Sequence, residues 1–199
     1  AQIRLMEQLR NHSGSPSMLV LRPADAHETT VAWKLALENF KTPTALILSR
    51  QGIKDLPALS GNRYREALRA AKGAYIVEKD EGIPDIVLLA NGSEVSTLID
   101  GAKKLRKEKG IRVQVVSVIS EGLFNQQPAE YRKEIIPDSI PVIGLTAGLP
   151  STLQGLTGCN GIVLGMRSFG YSAPYNVLDE KLGFSGNHIF EEVCRRLNL

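Results

Sequence analysis

Two runs rich in Val, Ile and Leu, Asp85–Ala90 (DIVLLA) and Ile111–Val118 (IRVQVVSV), bracket a long segment of helical periodicity. Within Ser93–Lys109, the residues Val95, Leu98, Ile99, Ala102 and Leu105 recur at three- and four-residue steps. Ser93 follows a glycine and stands as a candidate N-cap. A strand that is apolar at nearly every position is buried on both faces, and two such strands joined by a helix run parallel with a right-handed crossover. The alternation continues downstream. A helix is predicted over Gln127–Ile136, a strand over Pro141–Leu145, a short helix around Leu153 and a strand over Gly161–Gly165. Helices over Tyr175–Leu182 and Asn187–Leu197 close the chain. Ala74–Glu78 reads as a further strand, joined to Asp85–Ala90 by the turn-rich Lys79–Pro84 (KDEGIP) as a hairpin. The prediction is a three-layer α/β domain over residues 73–199, with a mostly parallel five-stranded sheet and one antiparallel edge strand.

The first fifty residues carry a different message. Met18–Arg22 is a short strand, and Asp25 with Glu28 three residues on forms a capping box. The helix that follows, Ala26–Asn39, is apolar on nearly every face around Val31–Leu37, so it needs covering. Pro43 separates it from a strand at Thr44–Leu48. One β-α-β unit cannot bury its own sheet and helix faces, because stable sheets need about three strands. Residues 1–52 are therefore expected to be the tail of a domain whose front half lies upstream, and the absence of an initiator Met agrees. Residues 53–72, with Pro57, Ser60, Gly61 and Asn62 followed by the charged helix Arg63–Lys72, read as a linker. The exposed face around Trp33 predicts self-association.

Composition excludes several classes. The net charge is only +3 and charges are interleaved, so nucleic acid is not an expected partner. No apolar stretch approaches the roughly 20 residues of a membrane helix, and the opening AQIRLMEQLRNH has no secretory apolar core. Two distant cysteines, Cys159 and Cys194, read as free thiols of a reducing compartment, hence a cytoplasmic protein. His12, His27 and His188 are scattered without metal spacing.

Self-contained catalysis finds no support. His188 and Cys194 fall on different faces of one helix, no nucleophile elbow exists, and Glu191-Glu192 reads as helix surface. The glycines between Gly155 and Gly170 read as tight turns around a strand, with Pro174 opening a helix. Asn91-Gly92-Ser93-Glu94 lies at a strand-to-helix junction that attracts anions, but Glu94 itself fills the positive end. The basic run Lys103–Lys109 suits a helix C-terminus. Arg50 is the remaining question. It follows the apolar strand TALIL by one residue, Ser49, at the strand end where α/β sheets bind ligands. The residues alone leave open a phosphate, which the planar guanidinium suits, or a salt bridge to a neighbouring carboxylate.

Four blocks carry a resemblance: RPADAHE…AWKLALE (Arg22–Glu38), PTALILSRQ (Pro43–Gln51), NGSEV (Asn91–Val95) and GMRSFGYSAP (Gly165–Pro174). In this order they resemble the C-terminal portion of transketolase, the thiamine-diphosphate enzyme that moves a two-carbon ketol unit from a ketose phosphate to an aldose phosphate in the pentose phosphate pathway. The resemblance implies that residues 1–52 end a pyrimidine-binding domain and residues 73–199 form the C-terminal domain of a homodimer. It implies that Arg50 grips the phosphate of the sugar substrate. Thiamine diphosphate and a divalent metal, Mg or Ca, would be held by sequence upstream, so no catalytic, cofactor or metal residue is assigned in this chain, and the chain alone is expected to be inactive. Thr146-Ala147-Gly148 departs from the pattern, which has glutamate before Ala-Gly, and Leu149–Leu153 lacks the usual aromatic residues. Deoxyxylulose-phosphate synthase and the β subunit of 2-oxoacid dehydrogenases share the domain plan but fit the blocks less well. A non-catalytic dimerisation or regulatory module is the alternative of another class.

Overall fold

The computed structural model describes residues 2–159 and 161–199. A short helix α1 (Gln2–Met6) leads through turns to strand β1 (Leu19–Leu21). Helix α2 (Ala26–Glu38) follows, then strand β2 (Thr44–Leu46). β1 and β2 pair in parallel, with Val20 opposite Ala45, and form a two-stranded sheet of their own. The predicted capping box is present in modified form: Asp25 Oδ1 accepts from the Glu28 N–H at 2.7 Å, while Glu28 Oε2 accepts from the N–H of Ala24, one residue before the cap.

After an irregular stretch come α3 (Arg63–Ala67), continued by a 3-10 turn over Leu68–Lys72, and β3 (Ala74–Lys79). The chain then alternates: β4 (Ile86–Ala90), α4 (Glu94–Lys109), β5 (Val113–Val118), α5 (Glu121–Asn125), α6 (Ala129–Ile135) and β6 (Val142–Thr146). It ends with α7 (Ser151–Thr157), β7 (Ile162–Gly165), α8 (Tyr175–Leu182) and α9 (Gly186–Leu197). The second sheet has the order β3-β5-β4-β6-β7 and is parallel except for β3, the antiparallel edge.

The expected hairpin between β3 and β4 does not form. β5 lies between them, antiparallel to β3 and parallel to β4. The KDEGIP turn serves another purpose: Asp80 Oδ2 accepts from Val113 N–H and Arg106 Nε, both at 2.7 Å, and Asp85 Oδ2 accepts from Arg112 N–H at 2.9 Å. The two aspartates fasten the entry of β5 into the gap. Every residue of β4, β5 and β6 is buried, which only interior strands can achieve.

The pleat divides the core between two faces. Ile86, Leu88 and Ala90 point toward α4 and α9, where they meet Leu98, Ala102 and Ile189. Val87 and Leu89 point the other way, toward Phe124, Ile135 and Leu153 of α5, α6 and α7. α4 and α9 cross closely because Gly101 has no side chain; a Cβ there would fall 2.8 Å from Ile189 Cγ2. Ser93 precedes α4 in helical conformation and makes no side-chain cap, whereas Gly110 ends the helix with a left-handed φ of 64°. No helix among the described residues is long and apolar enough to cross a membrane.

Candidate anion-binding cleft

The carboxyl ends of several parallel strands open into one cleft of about 760 Å³. Arg50 follows β2, Ser93 and Glu94 follow β4, Ala147 follows β6 and Met166 follows β7, and all of them line it. Residues 48–57 form one wall and α8 contributes Tyr175 and Asp179 to another. Ligands of open α/β sheets occupy this position because helix N-termini and loop amides converge there.

The cleft contains charges of both signs, most of them already spent. Arg22 donates to Asn91 Oδ1 at 2.6 Å and pairs with Glu94 at 2.8 Å. Its guanidinium lies across the start of α4, so that a Cβ on Gly92 would sit 2.8 Å from Arg22 Nε. The Asn91–Glu94 junction is thereby closed by an internal ion pair, and its positive end is not free for an outside anion. Lys103 pairs with Asp100 at 3.5 Å and His27 lies 3.8 Å from Asp55.

Arg50 is exposed and has no hydrogen-bond or ion-pair partner for its guanidinium among the described residues. The carboxylate partner left open by the sequence is therefore absent. Lys54, four residues on in the same wall, is likewise unpaired among the described residues. β2 itself is shorter than expected and only half-buried, and Leu48 is 53% exposed, so Arg50 leaves the sheet where water reaches the chain.

Two buried polar networks hold this region. In the first, Asp25 Oδ2 accepts from the Leu56 N–H at 3.1 Å and from Arg63 Nε at 2.6 Å. Arg63 donates to the Tyr75 hydroxyl, which donates to Glu28 Oε1, each at 2.6 Å. Burial pushes the Glu28 carboxyl above its usual range, against the pull of the Tyr75 and Ala24 hydrogen bonds. Through Leu56 this network pins the wall that carries Arg50 and Lys54.

In the second, Arg4 pairs with Glu121 and donates to Thr146 Oγ1 at 2.8 Å. Glu7 accepts from the Ser120 hydroxyl and from the Val20 N–H. Burial raises the Glu121 carboxyl to about 7, with Arg4 opposing and Glu7 reinforcing the rise. Thr146, the departure noted in the sequence, thus accepts the hydrogen bond that ties α1 to the end of β6.

Sequence reasoning singled out Arg50 but passed over Arg4, Glu7, Lys54, Arg63 and Tyr75. Nothing local marked the buried arginines, because their partners lie far off in the chain, 117 residues away for Arg4 and Glu121.

Fold and cleft together define an open α/β protein with a cleft at its strand ends and, on one wall, an arginine that is unpaired among the described residues. Residues 73–185 match the family described as transketolase-like TK C-terminal domain. A transketolase of Aquifex aeolicus is 36% identical over 192 residues, which is 96% of this chain and 27% of that protein. Among solved structures, transketolase from Leishmania mexicana superposes with a TM-score of 0.81 at 34% identity, covering 96% of this chain and 25% of its own. A Pichia stipitis transketolase solved in complex with sedoheptulose 7-phosphate superposes with a TM-score of 0.79 at 29% identity, covering 98% and 29% respectively. The chain belongs to the transketolase family, and it spans only about a quarter of the length of the relatives it matches.

Proposed function

We propose that this chain supplies the C-terminal part of a transketolase, in which Arg50 grips the phosphate of a ketose or aldose phosphate during two-carbon ketol transfer. The observation that carries the reading is the unpaired guanidinium of Arg50 in a cleft at the strand carboxyl ends, with unpaired Lys54 beside it. A planar fork with no internal partner suits a tetrahedral dianion, and one such contact is worth about 1.5–3 kcal/mol. The relative crystallised with sedoheptulose 7-phosphate supports a sugar phosphate as the ligand class.

In this reading residues 1–52 complete a pyrimidine-binding domain, 53–72 link, and 73–199 form a C-terminal domain that packs in a homodimer of the cytoplasmic pentose phosphate pathway. Thiamine diphosphate with Mg or Ca would supply the carbanion chemistry when bound. Among the described residues no group of three or more His, Cys, Asp or Glu could hold a metal ion, and no step is routed through the cofactor. The role left to this chain is binding and orientation. By itself the chain is expected to catalyse no ketol transfer; product formed from added cofactor and ketose phosphate would overturn that.

The decisive experiment is Arg50→Ala in a full-length protein, with phosphorylated and unphosphorylated acceptors compared. KM for the phosphorylated acceptor should rise about 10–100-fold, as expected for one lost charge-assisted contact. The unphosphorylated acceptor should be nearly unaffected. An equal loss for both removes the phosphate role.

A further inference from the structure

On the sheet face opposite α4 and α9, a second cavity of about 400 Å³ opens between α5, α6 and the end of α7. Its floor is apolar: Phe124, Ile136, Ile140, Val142 and Leu156. The rim carries three charged side chains. Lys133 and Asp138 neutralise each other at 3.0 Å, while the Arg132 guanidinium has no partner among the described residues. One positive charge is therefore left uncompensated above an apolar floor.

The wall contributed by α7 is unexpectedly low. Gly155 stands within this helix in ordinary helical conformation, and a Cβ built on it would meet nothing within 4 Å. Glycine weakens a helix interior, and here neither backbone conformation nor packing requires it. Its effect is to leave the cavity open. The volume lies within the range of small-molecule pockets, which combine apolar linings with a few polar anchors.

We propose that this pocket binds a small organic anion: an aryl or alkyl body on the Phe124–Leu156 floor, with its carboxylate or equivalent oxyanion held by the Arg132 fork. The site is distinct from the Arg50 cleft and independent of the reading given for it.

The test is an amide-resolved NMR titration of the 199-residue chain with 3-phenylpropionate, and with 3-phenylpropanamide as the uncharged counterpart. The acid should give saturable shifts at Phe124, Leu156 and Cys159. The amide should bind about tenfold more weakly, the loss of one charge-assisted hydrogen bond. Arg132→Gln, on an exposed position, should bring the acid down to the level of the amide. Gly155→Trp should fill the cavity and abolish the shifts from both. If that variant does not fold, the Arg132→Gln comparison decides by itself. Equal affinity of acid and amide, shifts confined to Trp33 and Leu37 of α2, or unchanged binding in a folded Gly155→Trp protein would each overturn the proposal.

Discussion

The two sheets of this molecule meet water on different terms. In the five-stranded sheet, three consecutive strands are buried at every residue, and helices cover both faces. In the two-stranded sheet, all three residues of β2 are only half-buried. Helix α2 buries Val31 and Ala32 in the shared core but turns Trp33 and Leu37 outward, 52% and 70% exposed, with Phe40 at 92% just beyond. Both regions are rich in apolar residues. Composition therefore does not set burial; the number of neighbouring strands and helices does. Large exposed apolar patches are where proteins tend to associate, so this face is the one to test for association. The polar networks around Asp25 and Arg4 join the two regions, and they are where the contrast can be tested hardest.

The largest effect should come from Asp25→Ala at that junction. It leaves the Arg63 guanidinium buried beside Glu28 without its closest carboxylate and frees the Leu56 N–H, and stability should fall by about 3–5 kcal/mol in urea unfolding. A loss below about 1 kcal/mol would mean the junction is held by apolar contact alone. Next, Leu88→Ala in the middle of β4, fully buried, should cost about 2–5 kcal/mol, with the spread set by how far the cavity collapses.

A smaller effect comes from pH. The Glu121 carboxyl, raised to about 7 in the folded chain from an ordinary 4.5, holds its proton more tightly when folded. Its contribution to stability is thus full below pH 4.5 and is lost as pH rises through 7, on the order of 3 kcal/mol across that window. Glu121→Gln should flatten the slope in part, because Glu7 is raised by burial too and slopes the same way. An unchanged pH profile would show that Arg4 keeps Glu121 charged throughout.

The smallest expected change in stability is from Leu37→Lys on the exposed face of α2, within about 0.5 kcal/mol, as for other surface substitutions. The same substitution should lower self-association in sedimentation velocity. If the unsubstituted chain already sediments as a monomer at high concentration, the exposed face is not adhesive and the contrast between the sheets loses its consequence.

Much of this architecture is legible in local sequence. The stripe from Val95 to Leu105 marks α4, Asp25 marks the start of α2, and the apolar runs mark β4 and β5, because each rests on neighbours within a turn or a strand. The strand order was not legible. KDEGIP has the residues of a hairpin turn, and nothing local says that Asp80 and Asp85 will instead receive the backbone of residues some thirty positions on. The cleft was legible at one position only. Arg50 stood out because it ended an apolar strand, whereas Lys54 looked like any loop lysine until the fold placed it on the same wall.

By itself the sequence determined most of the helices and strands, though not α1 or α5, that the later strands are parallel, and that the first unit cannot bury its own faces. Those are consequences of periodicity and of apolar length, which act over a few residues. The tertiary structure alone decided that some arginines are consumed in buried pairs while Arg50 on the cleft wall is not. Arg4, Arg22 and Arg63 find carboxylates brought from 35 to 117 residues away, and Arg50 finds none among the described residues. The physical reason is that a buried charge must be paired while an exposed one need not be. Exposure is a property of the whole assembled surface rather than of any stretch of chain.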